Sequence, residues 1–107
     1  MHIQVINFNL KDVSEQDYYK LCDDLAPTFA KVSGLLAKTW LANSASNTYG
    51  GVYLWESKAA MEAFGKTELF NALVTHPNLA NITSKDFAVM EEPSHVTRGL
   101  AAAMQLA

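Results

Sequence analysis

A chain of 107 residues, half of them hydrophobic and 18% charged, is long enough for one core and too apolar to be disordered. Its net charge of −3 and scattered basic residues give no reason to expect nucleic acid, and no apolar run approaches the roughly 20 residues that span a bilayer. The start, MHIQVINFN, lacks the basic beginning and apolar centre of a signal peptide, so one cytoplasmic domain over 1–107 is expected. Cys22, the lone cysteine, cannot form an internal disulfide and falls on an apolar helical stripe, as a buried thiol does.

His2 to Asn9 is rich in β-branched and aromatic residues and reads as a first strand, with Ile3 and Val5 on one face and His2, Gln4, Ile6 and Phe8 on the other. Ser14 is placed to cap a helix, and Tyr18, Leu21, Cys22, Leu25, Phe29 and Val32 follow at spacings of three and four. Pro27 is expected to kink or split that helix, and Gly34 to end it in a left-handed conformation. Leu35 to Ala42 reads as a second strand, Asn43 to Asn47 as a turn, and Thr48 to Glu56 as a third strand. Its Gly50-Gly51 pair calls for a bulge or a close backbone approach.

Ser57 caps a short helix that stops near Gly65, and Thr67 opens another that stops at His76-Pro77-Asn78. Ile82 to Glu91 reads as the fourth strand. Ser94 then caps a tail, 94–107, that forms a helix or an arm. The order β-α-β-β-α-β, with the second α divided, is the ferredoxin-like split βαβ arrangement, an α+β fold with a four-stranded antiparallel sheet. Helices cover one sheet face. The other is apolar too, and sheet-to-sheet packing in a homodimer is the simplest way to cover it.

Chemistry concentrates between Gly34 and Ser57. Trp40, Tyr53 and Trp55 are core or interface residues in one reading. In the other they line a pocket for a flat aromatic small molecule. Lys38 shares a strand face with Trp40; it either lays its stem along the surface or stabilises an anionic ligand. Asn7 and Asn43 are lesser candidates as hydrogen-bond donors. His76, before Pro77, is a helix C-cap or a general base. His2, His76 and His95 lie on different elements without ligand spacing, so no metal site is expected. No phosphate loop or nucleophile elbow is present, and no cofactor is implied.

The segments GLLAKTW, YGGVYLWES and FAVMEEPSHVTRG resemble the YdhR-type mono-oxygenases of the dimeric α+β barrel superfamily, and the element order matches throughout. The resemblance implies a homodimer whose sheets face each other and a pocket between sheet and helices in each subunit. Superfamily relatives include oxygenases that oxidise polycyclic phenols without metal or flavin, and haem-degrading proteins. A cofactor-independent mono-oxygenase acting on a phenol-like molecule is therefore the leading expectation. A non-catalytic binder of a hydrophobic metabolite and a haem-binding or haem-degrading protein are the alternatives. On chemical grounds Trp40, Tyr53 and Trp55 would line the pocket, Lys38 would favour the phenolate and His76 would accept its proton.

Overall fold

The burial of His2, Gln4, Ile6 and Phe8, alternating with less buried neighbours, makes β1 (His2–Leu10) a strand with one face against helices. The computed structural model describes residues 1–101. After β1 come α1 (Glu15–Ala30), β2 (Leu35–Asn43), a 3-10 turn (Ser44–Ser46), β3 (Thr48–Trp55), α2 (Lys58–Phe64), α3 (Glu68–Thr75), β4 (Leu79–Ala88) and α4 (Glu91–Val96). The strands form one antiparallel sheet in the order β2-β3-β1-β4, the ferredoxin-like α+β topology expected from the element order.

Register decides which side chains meet. His2 pairs with Trp55, Gln4 with Tyr53 and Ile6 with Gly51, while Lys38 pairs with Tyr53 and Trp40 with Gly51. Because residues two apart share a face, Lys38, Trp40, Gly51, Tyr53 and Trp55 all lie on the helix-covered side. The core on that side is built from Ile6, Phe8, Tyr18, Phe29, Tyr49, Tyr53, Trp55 and Phe64. The opposite face carries Ile3, Val5, Val52, Leu54 and Phe87, and Phe87 is 56% exposed.

Caps set the helix starts. Ser14, Ser57 and Thr67 each accept a backbone N–H from the third helical residue, with donors Asp17, Ala60 and Phe70. Gly50 meets the close-approach expectation, because a Cβ there would lie 1.8 Å from the Ile6 carbonyl oxygen. The register shifts instead between Leu35 and Ala37 in β2, and between Asn7 and Asn9 where β1 meets β4.

Several boundaries differ from the sequence reading. Pro27 does not divide α1, which runs unbroken from Glu15 to Ala30, and Gly34 (φ 79°) lies in the turn beyond it rather than at its cap. β4 starts three residues earlier than expected, since Leu79 pairs with Leu10 and Lys11 N–H donates to Asn78 O. It also ends earlier, because α4 starts at Glu91 with Pro93 in its first turn, where a missing N–H costs little. Ser94 is thus inside this helix rather than its cap. Of the tail expected over 94–107, residues 102–107 lie outside the described residues.

Candidate functional site

The apolar stripe of α1 and the divided second helical region stand off the sheet far enough to leave a cavity of about 180 Å³. Leu21, Leu25 and Phe29 of α1, Leu69, Ala72 and Leu73 of α3, and Trp40 and Tyr53 of the sheet supply most of its wall. Its surface is almost wholly apolar, and the exceptions are few: Lys38, His76, the Tyr18 and Tyr53 phenols and the Cys22 thiol.

Lys38 is the unusual group. Its Nζ lies 3.4 Å from the Trp40 ring centroid, 3.5 Å from that of Phe29 and 4.7 Å from that of Tyr53. Among the described residues no carboxylate or hydrogen-bond acceptor meets it. Burial therefore pulls its pKa down to about 7, with Cys22 acting weakly the other way. The π faces favour the ammonium and oppose part of that loss. Gly51 leaves room for the side chain: a Cβ there would come within 2.9 Å of Lys38 Cε.

Trp40 packs edge-on against Phe29, with centroids 5.4 Å apart, and lines the cavity together with the open grooves on either side of it. It forms the partition between interior and surface along the α1–β2 crevice. Tyr53 is 1% exposed and lines the cavity floor, and burial raises its pKa, so its phenol stays protonated.

Trp55, expected on the same wall, is placed behind it. It is wholly buried, stacks on Tyr53 at 5.9 Å and donates its indole N–H to Gln4 Oε1 at 3.1 Å. The register puts it one pair beyond Tyr53, under Phe64 of α2 rather than at the cavity.

His76 is the C-cap of α3 and also lines the cavity. Its Nδ1 accepts the Asn78 N–H at 3.1 Å, so the neutral ring carries its proton on Nε2. In that tautomer Nε2 offers an N–H donor at the other edge of the ring. Asn7 lies on the far sheet face and donates to Tyr49 O, and Asn43 caps the 3-10 turn. Neither lines the cavity.

The sequence reading passed over three wall residues. Phe29 completes the cage around Lys38, Tyr18 and Cys22 form the α1 side, and burial raises the pKa of both the Tyr18 phenol and the Cys22 thiol. Their places in the helical stripe were legible; that the stripe stands opposite Lys38 was not. Among the described residues no three His, Cys, Asp or Glu side chains gather as metal ligands, and no helix is long and apolar enough to cross a membrane.

The fold and its pocket define a ferredoxin-like α+β domain with an apolar cavity between sheet and helices. The chain belongs to the YdhR mono-oxygenase family, whose model, described as "Putative mono-oxygenase ydhR", matches residues 3–100. Solved structures share the fold. A "putative antibiotic biosynthesis monooxygenase" from Deinococcus radiodurans is 14% identical, with a TM-score of 0.70 over 85% of this chain and 94% of its own. SnoaB, a cofactor-independent oxygenase from Streptomyces nogalater, is 16% identical, with a TM-score of 0.65 over 84% and 94%. The haem degrader MhuD from Mycobacterium tuberculosis, with two haems bound, is 18% identical, with a TM-score of 0.68 over 86% and 98%. No curated protein matches the chain.

Proposed function

We propose that this protein is a cofactor-independent mono-oxygenase that oxidises a phenol of one or two rings. The observation that carries the reading is the Lys38 amine, held among aromatic faces on the wall of an apolar cavity, in a chain of a mono-oxygenase family. A neutral Lys38 accepts the phenol proton, and the resulting ammonium is then the counter-ion of the phenolate. The proton acceptor is thus Lys38. His76, through Nε2–H, is suited to donate a hydrogen bond to the same oxygen.

The phenolate supplies the electrons. One passes to dioxygen, and the superoxide and phenoxyl radical join at a ring carbon that carries hydrogen. The peroxide anion gains a proton from Lys38. Loss of the carbon-bound proton and cleavage of the O–O bond then release water and leave a quinone. The sum is phenol plus dioxygen to quinone plus water, and the dry cavity protects the radical pair from solvent.

Size argues for this reading over haem. A cavity of roughly 150 Å³ holds one benzene, so about 180 Å³ matches one or two rings better than a tetrapyrrole. Iron ligation through Nε2 would also require His76 to give up the tautomer that its bond from Asn78 imposes. The reading extends to assembly: two copies pack their open sheet faces together, covering Ile3, Val5, Val52, Leu54 and Phe87.

The test is oxygen consumption by metal-free protein given naphthols and hydroquinones, with product masses. Uptake with one oxygen atom retained in the product, lost in Lys38→Met, is expected. Tight binding without uptake would replace the oxygenase with a sequestering protein, the second reading of an apolar cavity.

A further inference from the structure

The Lys38 amine is enclosed by a wall that offers it no counter-ion, and the base role above uses its proton affinity but not its nucleophilicity. We propose that Lys38 is also a carbonyl-capturing amine, which condenses with a planar aryl aldehyde of one or two rings to form an imine inside the cavity. The reaction needs no partner beyond the aldehyde: the Nζ lone pair adds to the carbonyl carbon, the carbinolamine loses its hydroxyl as water, and a C=N bond remains.

Five observations support it. Nζ sits against the faces of Trp40 and Phe29, which are nearly perpendicular, so a flat aryl group bonded to it would stack on one ring and meet the other edge-on. No carboxylate or hydrogen-bond acceptor among the described residues occupies the amine. His76 lines the same cavity with its proton on Nε2, where it can hydrogen-bond the departing hydroxyl. The wall is nearly free of polar groups, which disfavours the water that would hydrolyse the imine. Burial also leaves a large share of Lys38 unprotonated near neutrality, whereas the other lysines are exposed.

The inference shares Lys38 and the cavity with the oxygenase reading but requires no dioxygen, so the two fail independently. The experiment incubates the full chain with 2-naphthaldehyde and sodium cyanoborohydride at pH 7 without oxygen, followed by peptide mass mapping. Cyanoborohydride reduces the imine to a stable secondary amine, which adds the aldehyde mass less one oxygen.

The expected result is modification of Lys38 at least about tenfold faster than any exposed lysine, because burial lowers the proton affinity of its amine. It should be slowed by 2-naphthol and absent with a pyrene aldehyde too large for the cavity. Met1, whose amine is paired with Glu91, is the internal comparison. Labelling of Lys38 no faster than the exposed lysines and Met1 would overturn the inference, as would equal labelling by the pyrene aldehyde.

Discussion

At the residue scale, Lys38 trades stability for chemistry. Folded Lys38 holds its proton less tightly than an unfolded lysine, so between about pH 7 and the ordinary lysine range the unfolded chain binds more protons. Stability therefore rises with pH across that window, and the cost of burying the charge is present in full below it. Lys38→Met should remove this rise and stabilise the protein at neutral pH by about 1 kcal/mol, while abolishing phenolate binding. Thermal unfolding from pH 6 to 9 checks the first part and ligand titration the second. A wild-type curve that falls over this range, relative to the variant, would contradict the placement of Lys38.

The two tryptophans should separate in the same way. Trp40→Ala should weaken binding of a flat phenol at least about fivefold by removing a stacking face. Trp55→Phe should leave that affinity nearly unchanged and instead cost about 1–3 kcal/mol, because Gln4 Oε1 loses its buried donor. Calorimetric titration and denaturant unfolding of both variants measure the split. Comparable affinity losses in the two would place Trp55 at the ligand after all.

At the element scale, the start of α1 is tied to the β2–β3 connection by one carboxylate. Glu15 Oε1 accepts from Ser44 Oγ at 2.5 Å and from Tyr49 OH at 2.7 Å, and these bonds hold its pKa below the usual carboxylate range. A depressed carboxylate contributes stability that is present above its unfolded pKa and lost as pH falls through the folded value. Glu15→Gln should therefore reduce stability near neutrality and converge with wild type in acid. Parallel unfolding curves at pH 3 and pH 7 test this, and an equal difference at both would exclude the carboxylate as the cause.

Local chemistry also explains which boundaries were legible. Ser57 and Thr67 announced their helices because a capping hydroxyl needs only the next three residues. β4 was misplaced because its ends depend on β1: Leu79 pairs with Leu10, and Val89 N–H donates to Met1 O. Pro27 removes one helical bond and so suggests a kink or a split, but α1 is not split, and Phe29 beyond the proline packs into the core.

At the scale of the whole molecule, the radius of gyration of 14.3 Å exceeds the about 13 Å of a compact chain of this length. If the open sheet faces of two copies pack together, light scattering should give twice the chain mass at micromolar concentration. Val52→Glu and Phe87→Glu, which place charge in the apolar patch, should each give the single-chain mass with unchanged circular dichroism. A wild-type monomer would remove the dimer.

The sequence by itself determined the order of elements, the division of the strands into two faces, and the grouping of Lys38 and Trp40 on one of them; which face the helices cover came only with the fold. These follow from periods of two and 3.6 residues and from caps, all short-range properties of the chain. Only the tertiary structure decided that Phe29 closes the cage over Lys38, that Trp55 stands behind the cavity, and that Asn78 fixes the tautomer of His76. Those depend on strand register and on how far α1 and α3 stand from the sheet. Such distances arise from the packing of side chains far apart in sequence, which no local pattern encodes.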